Sequence, residues 1–187
     1  MNVSRLIYGV LIIISGVSAY YLMDKEDSFD IKVESNTELP IFSGQSVQNT
    51  SFDENGLRSY VITSEHLDHF AKSGDTQFDK PILKVFRQGT DQEWEVTADS
   101  AVLDKEHILT LTDNVLAKNL LPDSGFKTLS TKTLSIQLDN RDFWADHTVT
   151  LSGPQFKTVG QAMKGNFADH TAVLYNRVQG NYETLTP

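Results

Sequence analysis

The chain has 187 residues with 16 basic and 25 acidic side chains, a formal net charge of −9, and no cysteine. This acidic balance argues against nucleic acid as a partner, because phosphate binding needs a basic face. The lack of cysteine excludes disulfides, thiol catalysis and thiolate zinc sites. The length fits one domain with a short tail.

The first element of the chain is an uncharged stretch of 18 residues, Leu6–Met23. As a helix it would be about 27 Å long, close to the thickness of the hydrocarbon core of a bilayer. Arg5 before it and the charged run after it favour a cytoplasmic segment 1–5 and an exported remainder. The sequence therefore predicts a transmembrane anchor over residues 6–23. The alternative is a signal peptide that is cleaved after Ala19.

The remainder divides into a linker and a domain of short strands. Residues 24–40 are polar and acidic without a clear period, and they predict a linker. From Ile41 onward, alternating segments follow one another with turns at about 8–12-residue spacing, and no convincing helix interrupts them. This pattern predicts an all-β domain over residues 41–187, with about 12–15 short antiparallel strands.

One pattern recurs three times in this domain, over Trp94–Val115, Thr131–Val149 and Ala162–Val178. Each copy is an alternating strand, a polar turn, a second strand and a closure of polar residues before valine. Such repetition is typical of stacked units that are each too small to bury their own apolar face. The alternation predicts an inward-facing set: Trp94, Val96, Leu109, Leu111, Leu134, Ile136, Leu138, Phe156, Phe167 and Leu174. The pattern leaves open whether these residues fill a closed core or line a groove.

Candidate catalytic and metal-binding residues are few. His66 and His69 lie three residues apart beside acidic residues, but positions three apart on a strand face opposite sides and do not converge on a metal ion. The Asp169-His170 pair is explained by turn chemistry. The sequence contains no nucleophile elbow, Gly-rich phosphate loop or His-Glu-x-x-His motif. It therefore predicts no enzyme, no metal site and no cofactor.

The N-terminal span, the acidic linker and the repeated unit together resemble the LptC family of lipopolysaccharide export components. The first copy of the unit carries the resemblance through Trp94, Val96, Ala98, Ala101, Leu103, Leu109, Leu111, Asn114 and Val115. Further matches are Asn55-Gly56, Pro81-Ile82-Leu83, Leu121-Pro122-Asp123-Ser124 and Leu151-Ser152-Gly153. The resemblance covers nearly the whole chain.

The resemblance implies an open, twisted β-jellyroll in the periplasm, preceded by one transmembrane helix that anchors it in the inner membrane. It implies a relay that receives lipopolysaccharide from the inner-membrane ATP-driven extractor, formed by LptB, LptF and LptG. The family holds the acyl chains in the jellyroll and passes the lipid to the periplasmic bridge protein LptA, without hydrolysing anything itself.

The resemblance also implies which residues contact the lipid. Phe78, Ala172 and Tyr182 match lumen-facing, lipid-contacting positions of the family, and Val47 falls where the family often has a small polar residue. With four inward-facing residues added, the predicted lipid-binding set is Val47, Phe78, Leu109, Leu111, Ile136, Phe167, Ala172 and Tyr182. Gly56 and Gly153 are predicted to be turn positions that tolerate side chains poorly.

The charge of the domain restricts how such a ligand binds. Beyond residue 23 the net charge is about −10, so the anionic sugar-phosphate end of lipopolysaccharide would be repelled. Binding must then come from burial of the acyl chains, at roughly 0.8 kcal/mol per CH₂ group. Two rival functions stay open: a cleaved, soluble bridge-type jellyroll protein, and a structural β-sandwich adaptor that binds no lipid.

Overall fold

A computed structural model describes Ser15, Val17, Ser18 and residues 38–122 and 124–182. The predicted anchor lies outside the described residues, apart from Ser15, Val17 and Ser18, which are helical. Within the part of the chain that is described, no helix combines the length and the apolar character that crossing a membrane requires.

Fourteen strands form one continuous sheet within the compact unit Glu38–Pro187. Every pairing between them is antiparallel, which confirms the predicted all-β class. The strands are β1 (Phe42–Phe52), β2 (Arg58–His69), β3 (Thr76–Asp79), β4 (Ile82–Arg87), β5 (Asp91–Thr97), β6 (Ser100–Leu103), β7 (Ile108–Asn119), β8 (Thr128–Gln137), β9 (Asp142–Ala145), β10 (Val149–Ser152), β11 (Phe156–Gly160), β12 (Ala162–Asn166), β13 (Thr171–Tyr175) and β14 (Gln179–Tyr182).

Three long strands fold this sheet into two layers. Each of β2, β7 and β8 pairs with one short strand along its first half and with another along its second half. In β2, for example, residues 60–63 pair with β4 and residues 66–69 pair with β3. The first layer contains β3, β6, β9, β12 and β13 with one half of each long strand. The second layer contains β4, β5, β10, β11 and β14 with the other halves, and β1 follows β2 along both layers.

The bends between the layers lie along one line, which we call the crease. At the crease, β1 has Ser46 at a φ of 52°, and β7 has Asp113 and Asn114 at φ values of 60° and 51°. Asp and Asn adopt this left-handed conformation more readily than most residues. Asp113 and Asn114, the polar residues that close the first sequence repeat, therefore form the bend in β7. Asn176 and Arg177, between β13 and β14, have the same left-handed conformation.

The first repeat is not the simple strand pair that the sequence predicts. Trp94–Val115 covers parts of β5 and β7 and all of β6, because the chain changes layer at Ala98 and Asp99. The predicted turn is present, since the amide of Ile108 donates to the Asp104 carboxylate at 2.8 Å at the start of β7. The first repeat therefore contributes to both layers of the sheet.

The hairpin tips lie on the side opposite the crease, which we call the mouth. Between the mouth and the crease, the apolar sides of the two layers face each other and form one core. One row of register partners crosses the second layer from end to end: Asn49, Ile62, Leu83, Val96, Ala117, Leu129, Leu151, Thr158 and Gly180. The row is apolar and buried between Ile62 and Leu151. Its two ends carry small or polar side chains.

Candidate functional site

The inner face of the first layer holds most of the predicted lipid-binding residues. Two rows of register partners form this face. Both are apolar or glycine over most of their length, and the second continues past Leu103 to the polar residues Thr76 and His69. The first row is Leu67, Phe78, Ala101, Leu111 and Leu134, and the second is Leu103, Leu109, Ile136, Phe143, Gly165 and Ala172. The fold therefore places Phe78, Leu109, Leu111, Ile136 and Ala172 side by side, although they come from four different strands.

Val47 and Tyr182 mark the two ends of the interior. Val47 lies on β1 and packs against the core while half exposed. Tyr182 lies on β14 with 78% of its surface exposed. Its ring faces that of Phe156 at a centroid distance of 6.2 Å, and Phe156 packs against the core. Tyr182 is therefore exposed at the β14 end, whereas Val47 packs against the core at the β1 end and also lines the cleft at the crease.

The centre of the interior is filled by side chains. Phe167, at the tip between β12 and β13, lies 4.8 Å from the Trp94 ring of the second layer and 4.4 Å from the Phe143 ring of its own layer. Beside these rings, between Tyr60 and Ile136, a cavity of only about 10 Å³ is left. That volume holds about one water molecule at most. The sequence left a core and a groove as alternatives, and the centre of this structure is a closed core.

A polar cluster at the mouth was missed by sequence reasoning. Glu93 is 1% exposed, and its Oε1 atom lies 3.2 Å from Arg87 Nε and 3.7 Å from His170 Nε2. Neither contact has the geometry of a hydrogen bond, so Oε1 is buried without an aligned donor. Strand alternation predicts that Glu93 points outward, because its neighbour Trp94 points inward. A shift in the β4–β5 register after Val85 accounts for the burial of both.

A second polar contact joins the layers at the mouth. Arg141, in the β8–β9 tip of the first layer, has a φ of 66° and places Nη2 3.4 Å from Ser59 Oγ of the second layer. Both residues also line the small residual cavity described above. The mouth is therefore closed by polar contacts outside and by aromatic rings within.

The crease carries an open cleft of about 660 Å³ on its outer side. Lys80 and Glu65 line it as an exposed ion pair, with Nζ 2.9 and 3.1 Å from the two carboxylate oxygens. The hydrogen bond from Lys80 to Glu65, and then the charge of Glu65, raise the pKa of Lys80. The cleft also contains apolar side chains, among them the predicted lipid-binding residue Val47. Because charged and hydroxyl groups lie among them, the cleft suits an acyl chain less well than the apolar interior does.

The histidines that are close in sequence have separate partners. His66 Nε2 lies 3.2 Å from Asp68, and His69 Nδ1 lies 2.9 Å from the hydroxyl of Thr76. Within residues 38–122 and 124–182, no three His, Asp or Glu side chains converge as ligands for a metal ion.

The two predicted turn glycines are constrained for different reasons. Gly56 has a φ of +75°, as expected, and a Cβ there would meet no atom within 4 Å. Gly153 is not among the positive-φ glycines. A Cβ at Gly153 would overlap the Phe156 ring and lie 3.0 Å from the carbonyl oxygen of Gly125. The structure therefore adds a steric constraint at Gly153 to the backbone restriction predicted from Pro154, which stays a prediction.

Comparison with known proteins now adds to this geometry. Residues 9–183 match the family of LptC-related lipopolysaccharide-assembly proteins. This chain belongs to the LptC family. It is 28% identical over 162 residues to the lipopolysaccharide export system protein LptC of Escherichia coli K12, covering 87% of this chain and 84% of that protein. Against the protein of the same name from Haemophilus influenzae, identity is 25% over an alignment of 201 residues, covering 98% and 96%.

A solved structure of another protein shares this fold. The structure of LptH from Pseudomonas aeruginosa, described as the LptA-homologous periplasmic component of the lipopolysaccharide transport device, matches with a TM-score of 0.53. The match covers 67% of this chain and 95% of LptH at 8% identity, so it shows a shared β-jellyroll fold alone. Membership of the LptC family supports a role in lipopolysaccharide transport and a place in the cell envelope. The family is one of assembly and transport components rather than of enzymes.

Proposed function

We propose that this protein is a lipopolysaccharide relay. It receives lipopolysaccharide from the extractor formed by LptB, LptF and LptG, holds the acyl chains between the two layers of the jellyroll, and passes the lipid to LptA. The single observation that carries this proposal is the inner face of the first layer. Every register position from Leu67 to Leu134 in the first row, and from Leu103 to Ala172 in the second, is apolar or glycine.

The charge distribution supports tail binding rather than head-group binding. The domain is acidic, and the described clefts of the crease present carboxylates such as Glu65 and Asp99 beside their few cations. An anionic head group is repelled by such a surface. Acyl chains that replace the side-chain contacts of the interior each gain roughly 0.8 kcal/mol per buried CH₂. The relay therefore grips the tails and leaves the head in solvent.

The edges of the sheet supply the partner surfaces in this proposal. Within the described residues, β1 pairs only with β2, β13 only with β12, and β14 only with β11. None of these three edge strands contains proline or a charged residue, the usual protection of an edge against strand addition. We assign the β1 edge to the jellyroll of the extractor and the β13 and β14 edge to LptA, each joined by strand addition.

A pair of neighbouring arginine substitutions tests the relay. Ala172 faces the interior and is half-buried, whereas Val173, next on the same strand, is 53% exposed. In vesicles that contain the extractor, Ala172→Arg should block ATP-driven transfer to LptA, because an unpaired charge on the inner face costs several kcal/mol. Val173→Arg should leave transfer intact. Equal transfer by the two variants would exclude the interior as the lipid path.

We place the protein in the inner membrane as a single-pass protein with its C-terminal domain in the periplasm. The uncharged stretch Leu6–Met23 supports this assignment by its length. The mass of the mature N-terminus and retention in the membrane after alkaline washing test it. Cleavage after Ala19 and release by the wash would instead support the soluble bridge-type alternative.

A structural adaptor is a second candidate, because the centre of the interior is filled. An adaptor would join the extractor to LptA by its edges and bind no lipid. Native mass spectrometry of the detergent-extracted protein with lipopolysaccharide separates the two functions. The relay retains lipid in a complex with the extractor, whereas an adaptor binds its protein partners and retains none.

A further inference from the structure

We infer that the contact of His170 with the buried Glu93 carboxylate is a latch that holds the mouth of the jellyroll closed and that must release before an acyl chain enters. Naming a lipid chain as the entering molecule rests on the proposed function. Closure of the mouth is a property of the chain itself and can be measured without lipid.

Three contacts join the two layers at the mouth. Glu93 belongs to β5 in the second layer, and His170, 3.7 Å away, belongs to the tip between β12 and β13 in the first layer. Next to them, the Trp94 and Phe167 rings meet at 4.8 Å, also from opposite layers. The third contact is that of Arg141 with Ser59. At the crease the layers are joined by continuous backbone, so the mouth is the side at which they can part.

An outer cavity lies against this closed mouth. It measures about 450 Å³, and Arg87, His170 and Phe126 are among its lining residues. Phe126 packs on Trp94 with ring centroids 5.6 Å apart. Two of the residues that hold Glu93 thus also face the outer cavity, and the aromatic rings separate that cavity from the interior. A molecule in the cavity would meet the latch before it met the core.

The buried carboxylate opposes the closure that it helps to form. A carboxylate taken out of water without aligned donors is costly, and an open mouth would return Glu93 to water. In the closed state the Arg87 guanidinium and the His170 imidazole, both partly exposed, lie 3.2 and 3.7 Å from Oε1 and offset this cost. Removal of the His170 side chain should therefore open the mouth. Removal of the carboxylate charge should close it again.

The tip that carries His170 is held in place independently of Glu93. The Asn166 side chain accepts hydrogen bonds from the amides of Ala168 at 2.8 Å and Asp169 at 3.1 Å. It also donates to the carbonyl oxygen of Asn140 at 2.9 Å, which ties the tip to its neighbour in the same layer. The loop that carries His170 is thus held by its own hydrogen bonds. Substitution of His170 should remove the contact with Glu93 and leave the loop in place.

The test measures the width of the mouth with two spin labels. The chain has no cysteine, so Asp91→Cys in the second layer and Ala168→Cys in the first, both exposed, accept the labels specifically. The full chain in detergent should give a narrow, short distance distribution. His170→Ala should raise the ratio of open to closed molecules by at least about fivefold, the equivalent of about 1 kcal/mol. Addition of Glu93→Gln to His170→Ala should restore the short distances.

His107→Ala is the matched control. His107 also lies in a hairpin tip at positive φ and contacts a carboxylate, Asp139, at 3.1 Å, but both residues belong to the first layer. This variant should leave the distribution unchanged. Equal distributions for His170→Ala and the parent, an equal opening by His107→Ala, or no restoration by Glu93→Gln would each overturn the latch.

A second experiment, with lipopolysaccharide present, tests the latch and the proposed function separately. A photo-reactive residue at Ile136 should acquire more lipopolysaccharide adduct in the His170→Ala background than in the parent. If His170→Ala opens the mouth but no variant acquires an adduct, the latch stands and the relay function is overturned. If adducts form equally in both backgrounds while the distances do not change, the relay stands and the latch is overturned.

Discussion

The two turn glycines give a prediction in which the same substitution acts by two mechanisms. Gly56 has a φ of +75°, and the space that a Cβ would occupy is open. The cost of alanine there is the left-handed backbone, about 1–2 kcal/mol. Asparagine tolerates that conformation better. We therefore expect Gly56→Asn to retain much of the stability that Gly56→Ala loses.

Gly153 has no positive φ, but the space for a Cβ is occupied. An added Cβ meets the Phe156 ring and the Gly125 carbonyl oxygen, the latter at 3.0 Å. Forcing extra atoms into a packed site costs typically about 1–3 kcal/mol. The ring must move, so alanine and asparagine should both destabilise. The cost of Gly153→Ala should shrink when Phe156→Ala removes the ring, because contacting residues couple in a double-mutant cycle.

The assay is urea unfolding of the full chain in detergent, followed by tryptophan fluorescence, since Trp94 is buried and reports on the core. The midpoint should fall at unchanged slope for Gly56→Ala and Gly153→Ala. Equal loss by Gly56→Asn and Gly56→Ala would refute the conformational explanation at the first turn. Additive costs of Gly153→Ala and Phe156→Ala would refute the steric explanation at the second.

Three further outcomes are expected. Ile136→Ala should lower the free energy of unfolding by about 2–5 kcal/mol, whereas Lys132→Ala, at an exposed position, should change it by less than about 0.5 kcal/mol. Similar urea midpoints for the two variants would contradict the assigned core. A chain that ends at Val178 lacks β14 and should lose capture of LptA but keep the extractor complex, and normal capture of both in pull-downs would exclude the edge assignment. Glu65 raises the pKa of Lys80, so the stability that this pair contributes is present below the ordinary lysine pKa and is lost as pH rises through the raised pKa of Lys80. An unchanged Lys80 titration by NMR in Glu65→Gln would contradict this pairing.

Local pattern predicted the strands and the direction of most side chains. Leu109, Leu111 and Ile136 are buried as the alternation requires, because every second residue of a strand faces the same side. The pattern did not show that the first repeat crosses from one layer to the other, since Ala98 and Asp99 bend the chain without an obvious turn signal. The polar residues before valine are the sequence sign of the same bend in β7.

The closed mouth could not be predicted from the sequence, because it depends on residues far apart in the chain. Arg141 and Ser59 are 82 residues apart, and nothing local pairs them. Glu93 is buried where the β4–β5 register shifts, and alternation alone assigns it to the surface. Likewise, the residues around Pro154 gave no sign that a Cβ at Gly153 would meet the Phe156 ring. Contacts between the layers close the mouth, and the Phe156 ring fills the space beside Gly153.

The relay account is tested most directly by lipid adducts along the interior. A photo-reactive residue is placed at Phe78, which is buried in the core, or at Tyr182, whose ring lies near that of Phe156. For comparison it is placed at Thr110 or Lys132, which alternate with buried residues of β7 and β8 and face outward. After illumination with lipopolysaccharide and the extractor present, the first two positions should give an adduct that requires ATP, and the outward positions should give none. Absence of the adduct at Phe78 and Tyr182 in folded protein bound to the extractor, or equal labelling at all four positions, would contradict the account.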